Sequence, residues 1–266
     1  MSETDRARGF DAWAGEYDRF RPGYPDELFD TIRERLGLSE RPHVVDLGAG
    51  TGRASLAMAE LGWRVTAIEP GHGMLDLLRK NATDRGLMMS TIQAEAEATG
   101  LDLGTAELVT AAQAFHWFDQ ERALAEIGRI LRPGGGVALF WNVRDAERSP
   151  FLAEYRDLLD RYAGEENDMG RYERTGRDQL RAGFAASSAF EPLELVNIEH
   201  EVAMNPEQFI GLAFTASYVR AGLSPEQQDR FRLELAAMLG RHGHVDASPF
   251  PVPYRIDLWI ARRRGS

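Results

Sequence analysis

A doubly wound α/β fold, a parallel sheet with helices on both faces, is what this 266-residue sequence predicts. Three observations carry that expectation. From residue 43 to about 142, short apolar runs alternate with helix-length periodic segments, the signature of successive βα units. A glycine turn stands directly between the first apolar run and the first of those helices. Beyond residue 190, two segments return to a period of two, which is the spacing of strands.

Val44 and Val45 lead into Asp46-Leu47-Gly48-Ala49-Gly50-Thr51-Gly52, read as strand and tight turn, then a helix through Leu56, Met58 and Leu61 that Gly62 ends. Arg64–Ile68 is a second strand closing on Glu69-Pro70, and Met74–Leu78 is spaced as a helix. A weak strand at Met88–Ile92 precedes a clear one at Leu108–Ala112. Asp119 caps a helix whose apolar face is Leu124, Ile127 and Leu131, stopped by Pro133 and Gly134–Gly136. Val137–Trp141 is the fifth strand.

After Asn142 the pattern changes. Residues 145–190 are charged and helical, with Phe151, Tyr155, Leu158 and Leu159 on one face. Val196, Ile198 and Val202 then alternate with polar residues. Asn205-Pro206-Glu207-Gln208 and Ser224-Pro225-Glu226-Gln227 each combine an N-cap, a first-turn proline and a Gln three residues on, the form of a capping box. In the last strand Tyr254, Ile256, Leu258 and Ile260 share a face, and Arg262-Arg263-Arg264 reads as a solvated end.

Composition removes whole classes of chemistry. There is no cysteine, so thiol nucleophiles, thiolate zinc sites and iron–sulfur clusters are excluded. Of 31 basic residues only Lys80 is a lysine, and no glycine loop precedes it, so there is no phosphate-binding Walker loop. A net charge of −11 argues against a nucleic-acid partner. No apolar run approaches the roughly 18 residues of a membrane span, and the first residues lack a signal-peptide pattern, so a cytoplasmic protein is expected. His242-Gly-His244 lacks a third ligand nearby, and no metal site is expected.

The glycine turn carries the function. Its glycines are Gly48, Gly50 and Gly52, and Arg53 stands where a nicotinamide fingerprint has its third glycine. Asp46 before the turn and Glu69 after the next strand place two acids near it, which suits a cationic nucleoside better than a pyrophosphate. Val44–Gly52 resembles the first motif of the class I S-adenosylmethionine-dependent methyltransferases. The resemblance implies a Rossmann-like methyltransferase fold of seven strands, mostly parallel with an antiparallel last strand, and S-adenosyl-L-methionine as cofactor, leaving as S-adenosyl-L-homocysteine.

The resemblance also implies roles for particular residues. Gly48, Ala49, Gly50 and Gly52 form the cradle. Glu69 takes the ribose hydroxyls, with Pro70 and Met74 following it at the cofactor. Asp46 holds the turn and reaches the ligand ammonium through water. In Ala94-Glu95-Ala96-Glu97, Glu95 and Ala96 contact adenine, although the family more often has Asp there; Glu97 is the competing acid. Gln113-Ala-Phe-His-Trp-Phe-Asp119 and Phe10–Pro25 resemble a small-molecule subgroup that includes trans-aconitate and farnesoate carboxyl methyltransferases. Gln113 then joins the cofactor residues, and the N-terminal helix covers the cofactor, with Tyr17 and Arg21 on its methionine carboxylate. Trp13, Tyr24, His116, Trp117 and Tyr218 are the acceptor-side candidates. His116 is the one histidine of six located to act as a base; the other reading is that it shapes the pocket.

The expectation is therefore one methyltransferase domain over residues 1–266: an N-terminal helical cover (1–40), a cofactor-binding half (41–142), a helical lid insertion (143–190) and C-terminal strands and helices (191–266). It would methylate a small organic acceptor, at a carboxylate or hydroxyl oxygen, as a monomer or homodimer. N- or C-methylation, a non-catalytic binder and a nicotinamide oxidoreductase are the rival readings.

Overall fold

The computed structural model describes residues 14–164, 172 and 176–265. In chain order the elements are α1 (Ala14–Phe20), α2 (Asp26–Leu36), β1 (His43–Leu47), α3 (Arg53–Glu60), β2 (Arg64–Ile68), α4 (His72–Asp84), β3 (Ser90–Ile92) and β4 (Ala106–Ala112). A single 3-10 turn (Phe115–Trp117), α5 (Gln120–Ile130), β5 (Leu131–Arg144), α6 (Pro150–Ala163) and α7 (Arg177–Ala186) follow. The chain continues with β6 (Glu194–Met204), α8 (Pro206–Phe214), α9 (Ser217–Arg220), α10 (Pro225–Arg241) and β7 (Phe250–Arg262).

The seven strands form one sheet in the order β3-β2-β1-β4-β5-β7-β6. The first five pair in parallel, while β7 lies antiparallel to both β5 and β6. Because side chains alternate along a strand, Val44, Leu108, Ala138 and Leu258 face one layer with Phe29 and Ile32 of α2. Val45, Val109, Leu139 and Trp259 face the other, with Leu124 and Ile127 of α5. The strand order reverses between β1 and β4, and at such a switch point the loops after both strands diverge and leave a crevice.

A third apolar cluster lies at the far end of β6 and β7. It joins Phe151 and Leu158 of α6, Phe209 of α8 and Phe231 of α10 to Val252 and Tyr254. Both capping boxes form: Asn205 with Gln208, and Ser224 with Gln227.

Three sequence readings change. Helix α5 ends at Ile130, and Leu131 already has extended geometry (ψ 138°) and pairs with Ala106, so β5 begins before Pro133 rather than at Val137. The strand also runs on to Arg144, into the stretch assigned to the insertion, because β7 pairs with it as far as Tyr254. The arginine tail is not simply solvated. Arg262 donates to the carbonyls of Arg35 and Leu36 at the C-terminus of α2, where a cation is favoured, and Arg263 and Arg264 donate to those of Leu131 and Phe190.

Candidate active site

The turn after β1 is built by its glycines. Gly48 (φ 64°) and Gly50 (φ 57°) take left-handed backbone that other residues rarely adopt. A β-carbon at Gly48 would lie 2.7 Å from that of Ala114, so the turn can sit tight against the loop after β4. At Gly50 nothing stands within 4 Å, which leaves its backbone open to a ligand. Gly52 serves packing instead, since a β-carbon there would meet Leu78 of α4 at 2.8 Å.

Two acids fix this turn. Asp46 is 1% exposed and accepts from Ser55 Oγ at 2.5 Å and Thr110 Oγ1 at 2.7 Å, which ties β1 to α3 and β4. Burial pushes its carboxyl up to about 6 against the downward pull of those two hydroxyls. Glu69, at the end of β2, accepts from the amides of Gly50 and Gly71, both at 2.8 Å. These two bonds fix the orientation of the Glu69 carboxylate at the turn.

Above the turn lies a cleft open to solvent. Gly48, Ala49, Gly50, Arg21, Tyr24 and Gln113 line it. Tyr24, expected on the acceptor side, thus stands with the glycine turn: its ring packs edge-on against Phe140 at 4.9 Å, which fixes it there. Arg21 is steered by Thr215, bonding its Oγ1 at 2.9 Å and its carbonyl at 3.4 Å. Gln113 has φ 56°, the one non-glycine residue with positive φ among the described residues. Backbone of that kind persists where the surroundings hold it, here through the Gln113 amide on the Phe140 carbonyl at 2.9 Å. Thr51 and Arg53 also line the cleft, and sequence reasoning misses both. In sequence, Arg53 reads only as a departure from the dinucleotide pattern.

The remaining candidates are dispersed. Met74 is buried on α4, Pro70 is exposed, and Ala96 is buried in the core beside an exposed Glu95. Glu97 accepts from the Asp119 amide at 2.7 Å, a bond that fixes the loop before α5. Tyr17 falls within α1, its side chain outside the description, and Trp13 lies outside the described residues. Tyr218 is buried in the third apolar cluster.

His116 sits on the 3-10 turn after β4, its ring 4.7 Å from Trp117 and 6.4 Å from Trp141. The indole Nε1 of Trp141 donates to its Nδ1 at 3.3 Å. Trp141 in turn stacks on Tyr172 at 4.7 Å. Tyr172 donates to Asp257 at 3.0 Å and accepts from Trp259 at 2.8 Å. Asp257 is fully buried on β7 and also binds Arg177, Arg255 and Asn197. Among the described residues, no three His, Asp or Glu side chains are grouped to hold a metal ion, and no helix is long and apolar enough to cross a membrane.

A seven-stranded sheet with this order, a glycine cradle at its switch point and an acid ending β2 define a nucleoside-binding site of the methyltransferase kind. Comparison with known proteins agrees. The family described as "Methyltransferase domain" matches residues 45–139. An uncharacterized methyltransferase of Mycobacterium tuberculosis is 33% identical over 217 residues, 82% of this chain and 80% of the relative. A Saccharomyces cerevisiae protein described as a probable S-adenosylmethionine-dependent methyltransferase is 29% identical over 60% of this chain and 55% of its own. A solved methyltransferase from Anaeromyxobacter dehalogenans superposes with a TM-score of 0.67 at 28% identity, covering 93% of this chain and 100% of the other. The chain belongs to the class I S-adenosylmethionine-dependent methyltransferases, and S-adenosylmethionine is its cofactor.

Proposed function

We propose that this methyltransferase acts on an oxygen of a small organic acceptor, a carboxylate that arrives already ionised. The bond from Trp141 Nε1 to His116 Nδ1 carries this reading. An indole N–H can only donate, so Nδ1 is an acceptor and the neutral ring holds its proton on Nε2. The nitrogen that could take a proton is therefore engaged, and His116 serves as a donor and a wall. A hydroxyl or ammonium acceptor needs a base, whereas a carboxylate does not. The resemblance of Gln113–Asp119 to carboxyl methyltransferases points the same way.

When bound, S-adenosylmethionine supplies an activated methyl group on a sulfonium. The chain's part is to bind, orient and exclude water. The turn of Gly48, Ala49 and Gly50 would let the cofactor approach its backbone closely, and Glu69 would take the ribose hydroxyls. Arg21 and Tyr17 hold the methionine carboxylate, and Gln113, Pro70 and Met74 flank the site. Glu95 and the Ala96 amide recognise adenine, with Asp46 setting the turn beneath. Trp13, Trp117 and Tyr218 complete the walls of the acceptor side, and Tyr24 stands with the glycine turn. Placement in such a site supplies up to roughly 7–11 kcal/mol of the barrier reduction. The enzyme works in the cytoplasm as a monomer or homodimer, with α6 and α7 closing over the acceptor.

The test is methyl transfer from labelled S-adenosylmethionine to a panel of carboxylic acids, phenols and amines, native enzyme against His116→Ala. Turnover of acids to base-labile methyl esters is expected, with no limb of the pH–rate profile assignable to a histidine. In His116→Ala, kcat should fall less than about tenfold, below the roughly 10²–10⁴ of a lost general base. Turnover confined to phenols or amines, with a histidine limb that His116→Ala abolishes, would reverse the assignment.

A further inference from the structure

At the C-terminal end of β5, where the sheet opens toward its ligands, stands an arginine without an acid. Arg144 forms no ion pair among the described residues, in a chain where most other arginines find a carboxylate or a carbonyl. Its Nε is shut off from solvent and makes no hydrogen bond. The neighbouring carboxylate, Asp145, accepts instead from the Glu147 amide at 3.2 Å. A half-buried guanidinium stays charged, and its enclosed Nε is costly to leave unbonded unless a partner arrives.

Phenols surround it. The guanidinium lies over the Tyr155 ring, 5.1 Å from its centroid. Tyr254 faces Arg144 directly across the β5–β7 ladder. The hydroxyls of Tyr155 and Tyr254 are both buried without a hydrogen-bond partner. Burial raises both phenols above their ordinary range, so each keeps its O–H as a donor. Tyr218 adds a third phenol close enough to act on Arg144. Asn142, two residues before Arg144 on β5, donates to the Gly23 carbonyl at 3.1 Å, between the cleft residues Pro22 and Tyr24, so the cluster adjoins the cofactor cleft. Behind Tyr254, His200 is stacked at 5.5 Å, and burial lowers its pKa.

A half-buried cation with an unbonded Nε and two enclosed phenol O–H donors, beside the cleft, ask for an acceptor-only group. We propose that Arg144, Tyr155 and Tyr254 form a subsite for an oxyanion of the methyl acceptor, which is therefore an organic acid. Arginine presents a planar fork of donors matched to a carboxylate, and the phenols supply both hydrogen bonds and flat apolar walls. The inference rests on the methyl-transfer reading above and adds the residues that hold the acceptor's acid group.

Calorimetry on the full chain saturated with S-adenosylhomocysteine tests it, with benzoate, phenylphosphonate and neutral benzamide as probes. Benzoate should bind at least tenfold more tightly than benzamide, and Arg144→Met should remove that preference while changing S-adenosylhomocysteine affinity less than twofold. Tighter binding of phenylphosphonate than of benzoate would assign the same subsite to a phosphorylated acid. Tyr155→Phe deletes a hydroxyl that bonds nothing in the free protein, so Tm should hold or rise while benzoate weakens three- to tenfold, and Tyr254→Phe should weaken benzoate by a similar factor. These two variants decide the matter if Arg144→Met fails to fold. Benzoate and phenylphosphonate binding no better than benzamide would overturn the proposal. So would a tenfold loss of S-adenosylhomocysteine affinity in Arg144→Met, which would give Arg144 to the cofactor's own carboxylate. Failure of the native protein to bind S-adenosylhomocysteine strikes the methyl-transfer reading itself.

Discussion

Replacing Asp46 by asparagine isolates the energetics of one buried acid under the cofactor turn. Burial moves its carboxyl from an ordinary 3.8 to about 6, and the Ser55 and Thr110 hydroxyls only partly oppose that. The folded chain therefore binds this proton more tightly than the unfolded chain does. Between about pH 4 and pH 6 the folded state carries the extra proton, and stability falls as pH rises through that window. Above pH 6 the full difference is present, about 3 kcal/mol at roughly 1.36 kcal/mol for each tenfold step in proton affinity. The amide of the variant has no charge to bury, and it can accept from one hydroxyl while donating to the other. The native-minus-variant difference in unfolding free energy should be near zero at pH 4. By pH 8 it should favour Asp46→Asn by about 3 kcal/mol, or roughly 6–12 °C in Tm. Urea unfolding followed by tryptophan fluorescence at pH 4, 5, 6, 7 and 8 measures it, and taking the difference cancels every other titrating group. A difference that stays flat across this range would refute the reasoning, because Asp46 would then have the same proton affinity folded and unfolded.

Two further outcomes follow from other acids. Glu69→Gln must turn an N–H toward either the Gly50 or the Gly71 amide, so S-adenosylhomocysteine affinity by calorimetry should fall at least tenfold; unchanged affinity would remove Glu69 from the ribose. Glu126 is held down to about 2, chiefly by its bond to Arg129, against burial and with help from Thr99. Its contribution is present above pH 4.5 and lost as pH falls toward 2, so Glu126→Gln should lower stability by about 1–3 kcal/mol at pH 7 and by less near pH 3, read by denaturant unfolding.

The sheet and the cofactor turn are legible in the sequence because each is encoded locally. Val44-Val45 followed by three glycines in five residues needs no distant partner to be read, nor does a Ser–Pro–Glu–Gln capping box. Arg144 and Tyr254 are not legible as a site. They meet only through the register of β5 on β7, which no local pattern specifies, and the apolar run of β5 itself stops at Trp141. Tyr155 looks like one more apolar-face residue of α6, and only its unpaired hydroxyl sets it apart. The glycines after Pro133 hide the start of β5, because glycine and proline ordinarily mark a strand's absence. Tyr24 is grouped with the acceptor side by sequence neighbourhood, whereas its contact with Phe140 decides where it stands.

Helix α1 and the segment after β5 are fastened to the rest of the molecule with unequal strength. On the insertion side, Tyr172 and Arg177 close on a fully buried Asp257, and removing one partner of such a charge is worth about 3–5 kcal/mol. Helix α1 is held by Arg19 to Glu207 and Arg220 to Glu16, pairs at the surface worth at most about 1 kcal/mol each, by the half-buried pair of Asp18 with Arg53 at 3.7 Å, and by Phe20 seated on Gly211. α1, with Arg21 just beyond it, is therefore the cheaper of the two to displace.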